Sequence, residues 1–197
     1  MNTASSIRID EWQPDESRAG ALDAEIDMLA EVLREVVHDG ASVSFFTPFP
    51  MDEAREFWLD KVLPGVRART RRVLVARMEE HTATTSEPSQ VGDRIVGTVQ
   101  LELDMPPNQQ HRAAVAKLLV HPIARRCGIA RELMIALEQI ALSEGRTLLT
   151  LDTVTGSNAE LLYRSLGYTV VGIIPRYARG ALTPELESTT IMYKELA

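Results

Sequence analysis

Apolar positions along the chain follow two rhythms, and the switches between them predict the element order. From Glu16 to His38, Leu22, Ile26, Leu29, Leu33, Val36 and Val37 recur at helical spacing, with Gly40 just past the end as a stop. Ser42 to Thr47 is short, apolar and aromatic, and is broken by Pro48 and Pro50. Met51 to Leu63 predicts a second helix, with Ala54, Phe57, Trp58 and Val62 apolar and a stop at Pro64-Gly65. The rhythm then changes to two. Val73 to Met78 predicts a strand, and the polar stretch Glu79 to Asp93 predicts a flexible hairpin loop. Ile95, Gly97, Val99, Leu101 and Leu103 alternate with Val96, Thr98, Gln100 and Glu102, predicting a strand with those sets on opposite faces. After a turn at Pro106-Pro107-Asn108, Ala113 to Val120 is apolar on both sides, as a central strand is.

The second half alternates helix and strand. Ile129, Leu133, Leu137, Ile140 and Ala141 form a helical stripe over 129–143, closed by Gly145. Thr147 to Thr153 predicts a strand ending at Asp152-Thr153. A short helix from Asn158 to Leu166 ends at Gly167, a strand covers Tyr168 to Ile173, and a last one Ser188 to Lys194. Two helices, three meandering strands and a β-α-β-α-β run predict an α/β sandwich around a mixed central sheet, with 1–197 read as one domain.

Composition narrows the function. The chain has 197 residues, 45% of them hydrophobic and 25% charged, within the range of globular domains. No apolar run nears the ~20 residues of a membrane span, and MNTASSIRIDEW lacks a secretory apolar core, so a cytoplasmic setting is expected. The single cysteine excludes an internal disulfide and fits a reducing compartment. A net charge of −7 argues against nucleic acid as a partner. His38, His81, His111 and His121 show no metal-ligand spacing, so no metal is expected and each reads as a surface or strand-end histidine.

The charge is uneven. Met105 to Arg131 holds no acid but carries Arg112, Lys117, Arg125, Arg126 and Arg131, a field suited to a polyanion. Within it, Leu118-Leu119-Val120-His121-Pro122-Ile123-Ala124-Arg125-Arg126-Cys127-Gly128-Ile129-Ala130 passes from strand through a basic turn into a helix. A helix start leaves backbone N–H groups unpaired, and its dipole favours anions. Gly128 allows close approach or positive φ, Ala130 is too small to shield the donors, and Arg125 and Arg126 can add charge-assisted contacts. The same turn also reads as an ordinary capped strand-to-helix connection with two solvated arginines. Neither GxxxxGK[ST] nor G-x-G-x-x-G is present, so it is neither a P-loop nor a dinucleotide fingerprint. Cys127 beside two arginines could serve as a nucleophile, but no histidine with a matching acid stands near it in sequence, which makes it a spacer.

About 30 residues after Arg125-x-x-Gly128-x-Ala130 comes Asn158-Ala159-x-x-Leu162-Tyr163-x-x-x-Gly167-Tyr168. This pair of motifs resembles the signatures of the GCN5-related N-acetyltransferases (GNAT), strongly over Ile95 to Gly172. Within them the chain is most similar to the tabtoxin-resistance type, through Pro107-Asn108-Gln109-Gln110-His111-Arg112, Lys117-Leu118-Leu119-Val120-His121, the stretch Gly145 to Thr153, and GASVSFF with Trp58 downstream. Where that subgroup uses a second acidic residue, this chain has Ala114.

The resemblance implies the GNAT fold, a three-layer α-β-α sandwich, with acetyl-CoA as cosubstrate. Leu118, Leu119 and Val120 would pair strand-like with the pantetheine amides. Arg125, Arg126, Cys127, Gly128, Ile129 and Ala130 would surround the pyrophosphate, and Asn158 would contact the cofactor arm. Tyr163 would act as general acid at the sulfur, and Asp152 as base or as anchor for a cationic amine. A thiol near pKa 8.5 and a tyrosine near 10 are close enough for proton transfer. The acceptor implied is a primary amine of a small molecule, amino-acid-like or an antibiotic or toxin, in detoxification, and a homodimer is the family-level expectation. Ser42 to Trp58 and the loop after Pro175 are expected to shape the acceptor site. The alternatives are a non-catalytic acetyl-CoA sensor of the same fold, a transferase of longer acyl chains, and an enzyme acting on peptide or protein amines.

Overall fold

The computed structural model describes residues 6–81 and 91–197. Along the chain come β1 (Ile7–Glu11), α1 (Ala21–His38), α2 (Met51–Glu56), a π-helical turn (Phe57–Val62), α3 (Leu63–Arg67), β2 (Arg71–His81), β3 (Val91–Glu102), β4 (Arg112–Val120), α4 (Ile129–Ser143), β5 (Leu148–Val154), α5 (Asn158–Ser165), β6 (Thr169–Arg179) and β7 (Leu186–Glu195). The described strands form one sheet in the order β1-β2-β3-β4-β5-β7-β6. Its neighbours run antiparallel except β4 and β5, which are parallel. This is the mixed central sheet between helical layers that the pattern predicts.

Each face of the sheet buries its own core. On one side Ile26, Leu29, Leu33 and Val37 of α1 and Trp58 of the π-helical turn pack on Val73 and Val75. On the other, Ile129, Leu133 and Leu137 of α4 and Tyr163 of α5 cover Leu74, Val99 and Leu101. Each such side chain, buried completely, stabilises the fold by about 1.5–3 kcal/mol.

Several boundaries differ from the pattern. β1 has no counterpart in it; the alternation there spans only five residues, and the strand pairs along β2 through Ile7↔Met78 to Glu11↔Leu74. α1 starts at Ala21 rather than Glu16, because Gly20 caps it in a left-handed conformation (φ 78°). The second helical segment does not stop at Pro64-Gly65. The π-helical turn lengthens the hydrogen-bond step, Pro64 falls at the start of α3 where its missing N–H costs nothing, and the helix continues to Arg67. The strand expected to end at Ile173 runs to Arg179, so the chain beyond Pro175 is strand before it is loop. Asp152 lies inside β5 rather than at its end. Of the predicted hairpin loop, Glu79–His81 and Val91–Asp93 belong to β2 and β3, and 82–90 lie outside the described residues.

A bulge in β3 and another in β4 shape the sheet beside the cleft. Ala76 faces Gly97 while Arg77 faces Ile95, so Val96 is an extra residue in β3. The parity of β3 flips there. Ile95 joins the α1 core, whereas Val96, Val99 and Leu101 join the α4 core, so Ile95 does not share a face with Val99 as its alternation predicts. The second bulge lies in β4. Thr98 faces Leu119 and Gln100 faces Ala116, which leaves Lys117 and Leu118 together opposite Val99, with Lys117 at φ 50°. β4 pairs with β5 only through Arg112↔Leu148, Ala113↔Leu149 and Ala114↔Thr150. Beyond Ala114 the two parallel strands part company.

Candidate functional site

The parting of β4 and β5 opens a cleft of about 960 Å³. Its walls include Leu118, Leu119 and Val120 of β4, Arg125, Arg126, Gly128, Ile129 and Ala130 of the turn into α4, Asp152 of β5, and Asn158 and Tyr163 of α5, but not Cys127. Apart from Cys127, the structure thus brings the proposed cofactor and catalytic residues to one cavity, although they span more than forty positions of sequence. Because β4 lacks a β5 partner along this stretch, its backbone N–H and C=O groups on that side are left to an extended, amide-bearing ligand, save the Val120 carbonyl, which accepts from Arg125.

At one end stands the start of α4. Gly128 caps the helix at φ 82°, with no side chain bonded to the first turn, and Arg126 also takes a positive φ of 66°. The Gly128 carbonyl already accepts from Arg131 and Glu132. Among the described residues, no backbone or side-chain group accepts from the N–H groups of Cys127, Gly128, Ile129 and Ala130. An open strand edge running to such an N-terminus suits a ligand with an amide-bearing arm and an anionic head.

The two adjacent arginines differ. The Arg125 guanidinium pairs with Asp39, just past α1, and its Nε donates to the Val120 carbonyl (3.4 Å). It ties the turn to α1, and the acid-free stretch of sequence is therefore not acid-free in space. Arg126 is exposed and makes no ion pair among the described residues. Arg131 donates to Ser165 Oγ (2.7 Å), linking α4 to α5. Cys127 is exposed, and its thiol lies 3.5 Å from the Arg125 carbonyl, with no imidazole or carboxylate bonded to it among the described residues. His121 is a strand-end histidine just past β4, and it is buried. Its Nδ1 accepts from the Ile123 N–H (3.3 Å) and so shapes the turn, while burial and the nearby Arg94 charge hold its pKa down.

At the other end lie the groups suited to acid–base work. α5 begins with Ser157 accepting from the Glu160 N–H (3.2 Å), while the Glu160 carboxylate accepts from the Gly156 N–H (2.7 Å) and is bracketed by Arg164. These bonds hold the Glu160 carboxyl below its usual range and fix the pitch of α5. One face of that helix carries Tyr163 inward, 6% exposed, with its ring 5.7 Å from that of Tyr168. Burial first, and the negative charge of Asp152 second, push the Tyr163 hydroxyl well above the ordinary phenol range. Asp152 is exposed to the cleft. The Thr189 hydroxyl of β7 lies 3.1 Å from its Oδ2 and 3.0 Å from the Thr153 carbonyl. Asn158, in the first turn of α5, is exposed along the cleft wall.

Sequence reasoning expects Ser42 to Trp58 and the loop after Pro175 near this end, but misses Lys117 beneath them. The 40–47 segment is tied to the turn after β6 by the Thr47 N–H donating to Ala181 O (3.1 Å) and by Ser42 Oγ to Arg179 O (3.5 Å). Beneath it Lys117 Nζ donates to Val43 O (2.8 Å) and Ser44 Oγ (3.3 Å), and sits 5.5 and 5.7 Å from the ring centres of Phe45 and Phe57. The one signal in the sequence is a lysine between Ala116 and Leu118 in an otherwise apolar strand. Among the described residues, no three histidine, cysteine or acidic side chains gather as a metal site, and no helix is long and apolar enough to cross a membrane.

Residues 37–168 match the model of the acetyltransferase (GNAT) family. Among solved structures the chain is similar to a GCN5-related N-acetyltransferase from Kribbella flavida, at 20% identity and TM-score 0.70, over 96% of this chain and 98% of that one. It is also similar to an N-acetyltransferase from Staphylococcus aureus Mu50, at 15% identity and TM-score 0.72, over 98% and 100% of the two chains. A third is an acetyltransferase from Salmonella typhimurium solved with its cofactor acetyl-CoA, at 16% identity and TM-score 0.67, over 97% and 94%. At these identities the structural matches speak for the fold.

Proposed function

The chain belongs to the GNAT family of acetyltransferases, whose fold binds acetyl-CoA, and on that footing we propose direct acetyl transfer to a primary amine of a small, amino-acid-like molecule. The observation that carries this reading is the convergence of an open β4 edge, an uncapped helix start and a buried tyrosine on a single cleft. Leu118 to Val120 align the pantetheine arm along β4, Cys127 to Ala130 offer their N–H groups to the pyrophosphate, and Arg126 adds an exposed positive charge. Asn158 steadies the arm from α5. Asp152 receives the acceptor's ammonium and passes one of its protons to water, which frees the nitrogen lone pair to attack the thioester carbonyl. Tyr163 donates to the sulfur as the carbon–sulfur bond breaks, and the second proton, shed by the acylated nitrogen through water, restores the phenol, so the products are an N-acetyl amine and a free thiol.

The raised pKa of Tyr163 refines its role. It stays protonated at every working pH and is always ready to donate. A proton moves less readily from it than from an ordinary phenol to a thiolate of pKa near 8.5. Its first contribution is therefore a charge-assisted hydrogen bond to the developing thiolate, with transfer completed late. The Cys127 thiol takes no part in the transfer. The tabtoxin-resistance subgroup, a cytoplasmic location and a role in detoxification complete this reading.

Tyr163→Phe tests it. Thiol release from acetyl-CoA, followed across a panel of amines, should fall about 10²–10⁴-fold in kcat, with the acetyl-CoA KM little changed. Unchanged turnover would remove the general-acid role. Tight acetyl-CoA binding with no turnover on small amines or on peptides would favour a sensor instead, and turnover on peptides alone would move the acceptor class.

A further inference from the structure

Lys117 is a cation without a counter-ion among the described residues. The β4 bulge turns it under the 40–47 segment, where Val43 O and Ser44 Oγ take two of its three N–H bonds and two aromatic faces flank it. Among the described residues no carboxylate lies within ion-pair distance of it, whereas Lys194 pairs with Glu138 at 2.7 Å. Asp152 and Glu102 act on Lys117 only at longer range, and burial pushes its ammonium down. Charges withdrawn from water are stable when hydrogen-bonded and paired. Here the hydrogen bonds and ring faces are in place, and the opposite charge is not. The cofactor does not provide it, because the proposed pyrophosphate site lies past Val120 at the start of α4, and the pantetheine arm is uncharged.

We propose that Lys117 is the anchor of a carboxylate subsite, and that the acceptor is a primary amine with a carboxylate beside its reacting nitrogen, the α-amino acid class. Lys117 and Asp152 both line the cleft and lie within electrostatic reach of each other, so a zwitterion can lay its carboxylate toward Lys117 and its ammonium toward Asp152. The third N–H of Lys117 then finds an anionic acceptor. The roof formed by Val43, Ser44 and Phe45 holds the ammonium in position for that contact. This inference rests on the reading of the chain as a small-amine acetyltransferase.

The test uses the full chain, acetyl-CoA and matched acceptor pairs: tyrosine with tyramine, tryptophan with tryptamine, lysine with cadaverine. The carboxylated member should be favoured in kcat/KM by about 10- to 100-fold, the range of a charge-assisted hydrogen bond. Lys117→Met should abolish that preference by lowering the carboxylated member alone, with the acetyl-CoA KM in place. Lys117→Arg, which keeps the charge, should retain it and serves if the methionine variant melts early. A wild-type enzyme indifferent to the carboxylate, or an equal loss on both members in Lys117→Met, would overturn the subsite while leaving acetyl transfer intact. No transfer to either member of any pair would instead defeat the underlying reaction and the subsite with it.

Discussion

At the scale of single residues, neighbours in sequence play unlike parts. Arg125 and Arg126 are indistinguishable on paper, yet Arg125 is bound to Asp39 and Val120, and Arg126 is left to the cleft mouth. Arg126→Glu should therefore raise the acetyl-CoA dissociation constant by about tenfold or more, by setting a like charge against the pyrophosphate. Calorimetric titration with unaltered affinity would refute that placement. Tyr163 is legible in the sequence because the motif from Asn158 to Tyr168 that contains it resembles a family signature, not because of any periodicity in its short helix. Its raised pKa is not, since that depends on burial by distant segments and on Asp152. Lys117 is legible only as a charge in a strand, because its role depends on a bulge that brings it to residues more than fifty positions away.

At the scale of elements, the sequence is clear where punctuation is local. α4 occupies 129–143 as its stripe predicts, because Gly128 at φ 82° and Gly145 at φ 71° mark both ends. It is unclear where geometry depends on partners. The π-helical turn and the bulge at Val96 leave no local mark, and each shifts which residues share a face. Gly97 shows how closely the layers meet. A Cβ there would stand 3.1 Å from Leu119 O, 3.2 Å from Ile129 Cγ2 and 3.3 Å from Leu133 Cδ1. Gly97→Ala should push α4 from the sheet and cost about 1–3 kcal/mol, read by urea unfolding. Since the same helix carries the N–H groups of the anion turn, weaker acetyl-CoA binding should accompany the loss.

At the scale of the whole molecule, pH and ligand act on the fold together. Burial raises the hydroxyls of Tyr163 and Tyr168 above their ordinary range. Unfolded tyrosines ionise near pH 10, whereas the folded ones still hold their protons, so above about pH 10.5 the native state binds more protons and stability falls. Lys117, pushed down by burial, acts in the opposite direction, but over a window that closes near the ordinary lysine value of about 10.4. The expected slope is about 1.4 kcal/mol per pH unit for each tyrosine, and Tyr168→Phe should reduce it by about half in alkaline urea titrations. A slope the variant does not alter would assign the alkaline loss elsewhere. The divergence of β4 from β5 reaches furthest. It leaves the middle of the sheet with an unfinished rim, and a ligand that lies along it does the work of an eighth strand. Acetyl-CoA at about 100 times its dissociation constant should add about 2.7 kcal/mol to stability and slow amide exchange at Leu118 to Val120. A cell short of acetyl-CoA would then hold this enzyme in its most protease-sensitive form, so that its abundance follows the supply of the molecule it consumes.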